Sequence, residues 1–389
     1  MLSEAQAIKD QLVAWRRAIH RYPELGFEVY RTAELVGSAL AGLGVEYQAG
    51  VGKTGVVAYL GDNSGPVIAI RADMDALPIQ EANRVDYASQ IPGYMHACGH
   101  DAHTAMLLGV AHLLSRRALP GQVRLLFQPS EETGDEEGIS GAPRMIADGA
   151  LDGVDAVIAL HVDGKLETGC IAVEDGWVGA AVDTFKAYVV GKGGHGAYPH
   201  QVVDPIWMAT QVLNALYAVP SRQVSPLEPS VISVGVIRAG NADNVIPDSV
   251  YLEGTLRSVS ERVREQIIAQ VERALSLART FGGDYELQIV RGYPASHNAP
   301  AVAGWLRDVG SALLGSGAIV GSQRSMGGED FSFMTQRAPG AMFSLGVKPP
   351  GGEPRFLHTA NFDLDEDALP IGAAILAETA LRYVRGELG

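Results

Sequence analysis

The sequence predicts an α/β protein with a small ferredoxin-like α+β domain, residues 178–292, inserted between residues 1–177 and 293–389 of a larger catalytic domain. Three observations predict it. The flanks alternate short apolar runs with amphipathic stretches, the rhythm of strands covered by helices. The middle reads strand, helix, strand, strand, helix, strand, the order of a split βαβ domain. A chain of 389 residues, 47% of them apolar, is also long enough for more than one core.

Residues 5–21 and 31–43 carry apolar side chains at helical spacing, on either side of a turn at 23–26. TGVVAYLG and GPVIAIRAD follow, short apolar runs bounded by glycine that read as strands. Residues 102–117 return to helical spacing, and QVRLLFQ and DAVIALHV read as buried strands. In the inserted domain VDTFKAYVVG, SVISVGVIR, SVYLEGTLRS and YELQIVRG are the strands, with helices at 204–218 and 261–279. Helical spacing resumes after Asn298, and AMFSLGV is a last strand. The 46 glycines stand singly between periodic segments, so they mark turns and close approaches rather than disorder.

A formal net charge of -15 disfavours nucleic acid or an anionic membrane as a partner, since either wants a basic face. A small-molecule substrate remains. The first residues lack the apolar core of a secretory signal, and no apolar run approaches the length of a bilayer span. Cys98 and Cys170 are the only cysteines, too few for a disulfide framework. The expectation is a soluble cytoplasmic protein.

MHACGHDAH, residues 95–103, places three histidines and a cysteine in nine residues. Cys98 and His100 stand just before the predicted helix, with Asp101 expected to cap its first turn. Thiolate and imidazole together suit zinc or a similar divalent ion. Two ligands do not complete a site, and the further candidates stand at other strand ends: Glu131 and Glu132 after QVRLLFQ, His161 in ALHV, and His358 in RFLHTANF. The adjacent glutamates are expected to diverge, one towards metal and one towards water, where a carboxylate can carry a proton to a leaving group. SEETGDEE alone would read as a solvated acidic face; Cys98 and the three histidines tip the reading towards a metal. His96 and His103 are expected to cap, pack or hydrogen-bond. The rival is Cys98 as a nucleophile activated by His100 or His96, which leaves the glutamates and distant histidines without work.

GKT at 52–54 is no phosphate loop: Tyr47 stands where its first glycine belongs, and a strand follows. The acids of IRADMDALP end a strand, and Asp73 or, by preference, Asp75 is expected to orient a ligating imidazole. In the inserted domain the glycines of GKGGHGAYPH let His195 approach a ligand closely. Asn244 and Arg257 are candidates for a substrate carboxylate, which a guanidinium matches with two parallel hydrogen bonds.

Together HRYPELGFEVYRTAELV, IAIRADMDALPI, GYMHACGHDAHTAMLLGVA, FQPSEE, VIALHV, GKGGHGAYPH, NVIPD, GTLR, GGEDFSFM and LHTANFD resemble the M20 metallopeptidase superfamily, in family order and through nearly the whole chain. The resemblance is to the amidohydrolase branch of hippurate hydrolases, aminoacylase-like enzymes and plant auxin-conjugate hydrolases. It implies a zinc-peptidase-like catalytic domain with an inserted lid or dimerisation domain. It implies two divalent ions per chain, zinc first and manganese, cobalt or nickel as alternatives, on Cys98, His100, Glu132, His161 and His358. Glu131 would be the general base; His195 would stabilise the reacting carbonyl, in some members across a dimer interface; Asn244 and Arg257 would hold a substrate carboxylate. Asp73 stands where the wider superfamily has histidine, Cys98 where a bridging aspartate is common, and Ser130 where many relatives have alanine. The implied activity is hydrolysis of N-acyl amino acids by a homodimer or homotetramer. A dipeptidase or carboxypeptidase, and a noncatalytic binding protein on the same fold, are the alternatives.

Overall fold

The computed structural model describes every residue except Asn63, Ser322, Gln323 and Gly389. The chain divides into two compact units, one of Met1–Gly176, His297–Gln323 and Asp330–Gly389, the other of Trp177–Ser296 with Arg324–Glu329. The second takes in a short returning segment that no periodicity marks.

In the larger unit an eight-stranded sheet runs in the order Glu46–Val51, Gly55–Gly61, Gln122–Gln128, Val67–Asp73, Ala156–Glu167, Gly340–Lys348, Ile171–Ala172, Ile319–Val320. The third to sixth of these are parallel neighbours. Val67–Asp73 and Gln122–Gln128 are buried at every position, as strands covered on both faces must be. Ile68, Ile70, Leu125 and Phe127 belong to the core cluster that includes helices His100–Leu114 and Leu369–Val384. Their alternates Ala69 and Leu126 pack instead with Met145, Phe331 and Met334. The chain leaves Val67–Asp73 through His100–Leu114 to its neighbour on one side, then through Gly141–Ala147 to its neighbour on the other. That reversal opens a crevice beyond the carboxyl ends of the strands, where such sheets take ligands.

Several elements differ from the sequence reading. The first helix breaks at Ile8 into Leu2–Ala7 and Lys9–His20, and the second predicted helix of the middle breaks at Ser276. The edge strand Glu46–Val51, exposed along most of its length, has no apolar run to announce it. Asp101 does not cap its helix. The cap is Gly99, whose φ of 84° lets the helix begin at His100, while the Asp101 carboxylate accepts from Arg16 Nε at 2.7 Å and lies 2.8 Å from His20 Nδ1.

The smaller unit is a four-stranded antiparallel sheet in the order Ser230–Ala239, Ser249–Ser258, Ala181–Val190, Asp284–Arg291. Its alternate residues Phe185, Ala187, Leu252 and Leu256 pack with Met208, Val212 and Leu216 of helix Pro205–Arg222 and Val263, Ile267 and Val271 of helix Glu261–Leu275. Asp204 caps the first helix at the amides of Ile206 and Trp207, and Ser260 caps the second at Val263.

Candidate metal centre

Chain segments far apart in sequence deliver their donors to the crevice. Cys98 Sγ lies 3.4 Å from His161 Nε2 and 3.4 Å from His358 Nε2, and His358 Nε2 lies 3.1 Å from Glu132 Oε1. Ligand atoms of Cys98, His100 and His161 fall within 4.8 Å of one another, as do those of Cys98, Glu132 and His358. The Cys98 sulfur is common to both groups.

Hydrogen bonds decide which imidazole nitrogens are free. His100 Nδ1 donates to the Asp75 carbonyl at 2.8 Å, leaving a buried Nε2 with no hydrogen-bond partner among the described residues. His161 Nδ1 donates to the Val162 carbonyl at 2.8 Å, which turns its Nε2 to Cys98. Each ring thus turns its Nε2 towards the cluster. His103, one turn along the same helix, is spent: Nδ1 donates to Asp73 at 2.6 Å and Nε2 accepts the Val162 amide at 3.0 Å. Burial keeps that ring neutral, lowering its pKa to about 4 against the pull of Asp73. His103 therefore has no lone pair for a metal, although Asp73, His100 and His103 also lie close together. His96 is buried, neither ring nitrogen has a hydrogen-bond partner among the described residues, and burial pushes its pKa down to about 3.

Asp75 holds both halves of the cluster. Its carboxylate accepts from the amides of Glu131 at 3.0 Å and Glu132 at 3.1 Å, while its carbonyl holds His100. Ser130, just before the glutamates, has φ 49°, and His358 has φ 60° with its amide on the Ala97 carbonyl. Left-handed backbone at a non-glycine residue costs about 1–3 kcal/mol and persists only where the surroundings enforce it. Glu132 meets His358, buried Glu131 receives the Asp330 amide on Oε1 at 3.4 Å, and ligand atoms of Glu131, Glu132 and His100 fall within 4.8 Å of one another.

Burial pushes the Cys98 thiol well above its ordinary pKa, and the carboxylates of Glu132 and Glu131 add to the shift. Burial also opposes a charged His100 ring, yet Asp73 and Cys98 outweigh it and hold the pKa well above the usual histidine value. With sulfur, imidazole and carboxylate donors brought together, the cluster fits a zinc-like divalent ion.

In the smaller unit, His195 is exposed on a short ladder opposite Val245, its Nδ1 accepting the Ala197 amide at 3.1 Å, while the Asn244 carbonyl accepts from Gly196 at 2.8 Å. Arg257 is elsewhere. Ser249 pairs with Val190 at the end of the sheet from which His195 projects, and Arg257 pairs with Val182 eight residues further on. Eight residues of extended strand span about 26 Å. The fold thus joins His195 to Asn244 and separates both from Arg257. Sequence reasoning missed Arg71, Gln128 and Asp330, all buried beside the cluster. The available signal was an arginine inside the apolar run IAIRAD.

The model for peptidase family M20/M25/M40 matches residues 69–382. The chain belongs to that family. It is 39% identical to thermostable carboxypeptidase 1 of Saccharolobus solfataricus, over 98% of this chain and 97% of that protein. It is likewise 39% identical to N-acetyl-L-cysteine deacetylase of Bacillus subtilis, over 97% and 89%. Among solved structures it resembles the Bacillus subtilis YXEP protein, described as a dinuclear metal binding peptidase of the M20 family, with a TM-score of 0.85 and 33% identity over 98% and 99% of the two chains. The family, the fold and the donor cluster make this chain a metal-dependent hydrolase.

Proposed function

We propose that the chain hydrolyses the amide bond of N-acyl amino acids with two divalent ions, zinc first, which Cys98, His100, Glu132, His161 and His358 would hold. The sharing of Cys98 Sγ by two ligand groups, His100 and His161 in one and Glu132 and His358 in the other, carries this reading. When bound, such ions polarise the scissile carbonyl and lower the pKa of water. Glu131 takes a proton from the attacking water and hands it to the leaving nitrogen, held in place by Asp75 at its backbone and by the Asp330 amide at its carboxylate. His195 stabilises the negative charge that develops on the carbonyl oxygen, and Arg257 holds the carboxylate of the amino acid; Asn244, which the fold keeps beside His195, does not share that carboxylate with Arg257 within one chain.

Arg257 lies eight residues along its strand from the end nearest His195, and that spacing supports a reading in which the two serve different copies of the site. We read the active form as a homodimer in which His195 completes the partner's site. Helices on one face of an antiparallel four-stranded sheet support reading the smaller unit as a ferredoxin-like lid or dimerisation domain. The two free cysteines support a reducing, cytoplasmic setting. The name of the deacetylase relative favours acyl substrates, and that of the carboxypeptidase relative favours a second reading, cleavage of peptides, for which Arg257 serves equally well.

The deciding experiment strips the metal and measures amino acid release from acetyl-, benzoyl- and aminoacyl-amino acids, with and without added zinc, manganese or cobalt. Metal-restored release, fastest from the acyl substrates, is the expected result. Faster release from the aminoacyl substrates selects the peptidase reading, and silence with every metal overturns both.

A further inference from the structure

Arg71 is fully buried in the middle of an apolar strand, and its guanidinium is shared between two buried carboxylates. Nη1 donates to Asp73 Oδ2 at 2.6 Å, and Nη2 to Asp330 Oδ1 at 2.8 Å. Nε donates to the Gln128 side-chain oxygen at 2.8 Å, and the Gln128 amide group in turn donates to both Asp330 oxygens.

Each carboxylate leads to a different half of the centre. On one side Asp73 accepts from His103, His103 accepts the Val162 amide, and the carbonyl of Val162 accepts from the His161 ring. On the other side Asp330, held also by Ser140 Oγ at 2.7 Å and the Ala142 amide at 3.0 Å, directs its own amide at Glu131 Oε1. Every side chain named between Arg71 and these two endpoints is buried.

We propose that Arg71 is a positioning residue for the hydrolysis, clamping Asp73 and Asp330 so that His161 and Glu131 are held in one fixed relation. The proposal rests on the reading of His161 as a ligand and Glu131 as the base. Burying an arginine with two acids does not in itself favour stability over a well-packed apolar side chain. An apolar side chain, however, cannot fix two carboxylates at once, and neither can the single ammonium of lysine with the same fork geometry.

The test measures two quantities on each variant: the zinc dissociation constant by chelator competition, which needs no turnover, and kcat and KM at saturating zinc on the best acyl substrate. His103→Ala should weaken zinc binding by about 10–100-fold with a smaller effect on zinc-saturated kcat. Ser140→Ala should leave zinc binding alone and lower kcat several-fold at constant KM. Arg71→Lys, folded by circular dichroism, should do both, whereas Arg124→Lys, on the neighbouring strand, should do neither. A folded Arg71→Lys protein that keeps either quantity at the wild-type value overturns the proposal.

If Arg71→Lys does not fold, Asp73→Asn, Asp330→Asn and their double variant replace it. Carboxylates linked through Arg71 give a double variant whose loss of zinc affinity and kcat falls short of the product of the single losses. Simple multiplication overturns the proposal. Should the wild type hydrolyse nothing, the functional reading fails while the zinc arm still decides the role of Arg71.

Discussion

The larger unit draws its candidate ligands from widely separated segments into one cluster, whereas the smaller unit holds Arg257 near one end of its four-stranded sheet and His195 on a separate ladder that follows the other end. Parallel strands bring their carboxyl ends, and the loops that follow them, to a single edge, so Asp75, Glu131 and Glu132 arrive together. In the smaller unit Arg257 stands near one end of Ser249–Ser258 and the ladder of His195 follows the other, so a strand length parts them. Metal binding should therefore belong to the larger unit alone, and substrate recognition should depend on the smaller one.

The largest test of that division is Glu131→Gln. Turnover should fall by about 10²–10⁴-fold while zinc affinity, measured by chelator competition, stays near the wild-type value. Unchanged turnover would remove Glu131 from the role of base. Arg257→Ala should lower kcat/KM by about 10–100-fold on acyl amino acids, the range for a lost hydrogen bond to a charged group, with zinc affinity unaltered. An equal loss on amides lacking the carboxylate would turn Arg257 into a residue of general structural importance.

Mixing Glu131→Gln with His195→Ala sharpens the comparison further. If His195 works across copies, half the dimers formed on random exchange carry one intact site, and activity should return to about a quarter of wild type. No recovery after subunit exchange, verified by mass, would confine His195 to its own chain.

The smallest expected effect lies outside both sites, at the buried His20–Asp101 pair. Burial opposes a charged His20 ring, but Asp101 and Glu81 outweigh it and raise the pKa. The stability this gives is fully present below the unfolded value near 6.5 and is lost as pH rises through the higher folded value. Melting temperatures of wild type and His20→Gln should differ most in mild acid and converge in alkali; a constant gap would assign the effect to packing.

Element order was legible along most of the chain because helical and strand periodicities are local properties of side-chain spacing. The exposed edge strand Glu46–Val51 lay beyond that method, since its pairing with Gly55–Gly61, not an apolar pattern, makes it a strand. Asp101 was read as a cap because capping is also local. Its actual partner, Arg16, comes from another helix 85 residues away.

Residue types and spacing alone nominated Cys98, His100, Glu131, Glu132, His161 and His358, because sulfur, imidazole and carboxylate are the groups with metal and proton chemistry to offer. Tertiary structure decided which nitrogen of each ring is free. His100 and His103 are nearly interchangeable in MHACGHDAH, yet the Asp75 carbonyl engages only one nitrogen of the first, while Asp73 and the Val162 amide occupy both nitrogens of the second. The same holds for Arg71, whose partner Asp330 lies 259 residues along the chain. A hydrogen bond depends on position to a fraction of an ångström, and only the packed fold sets positions that finely across such separations.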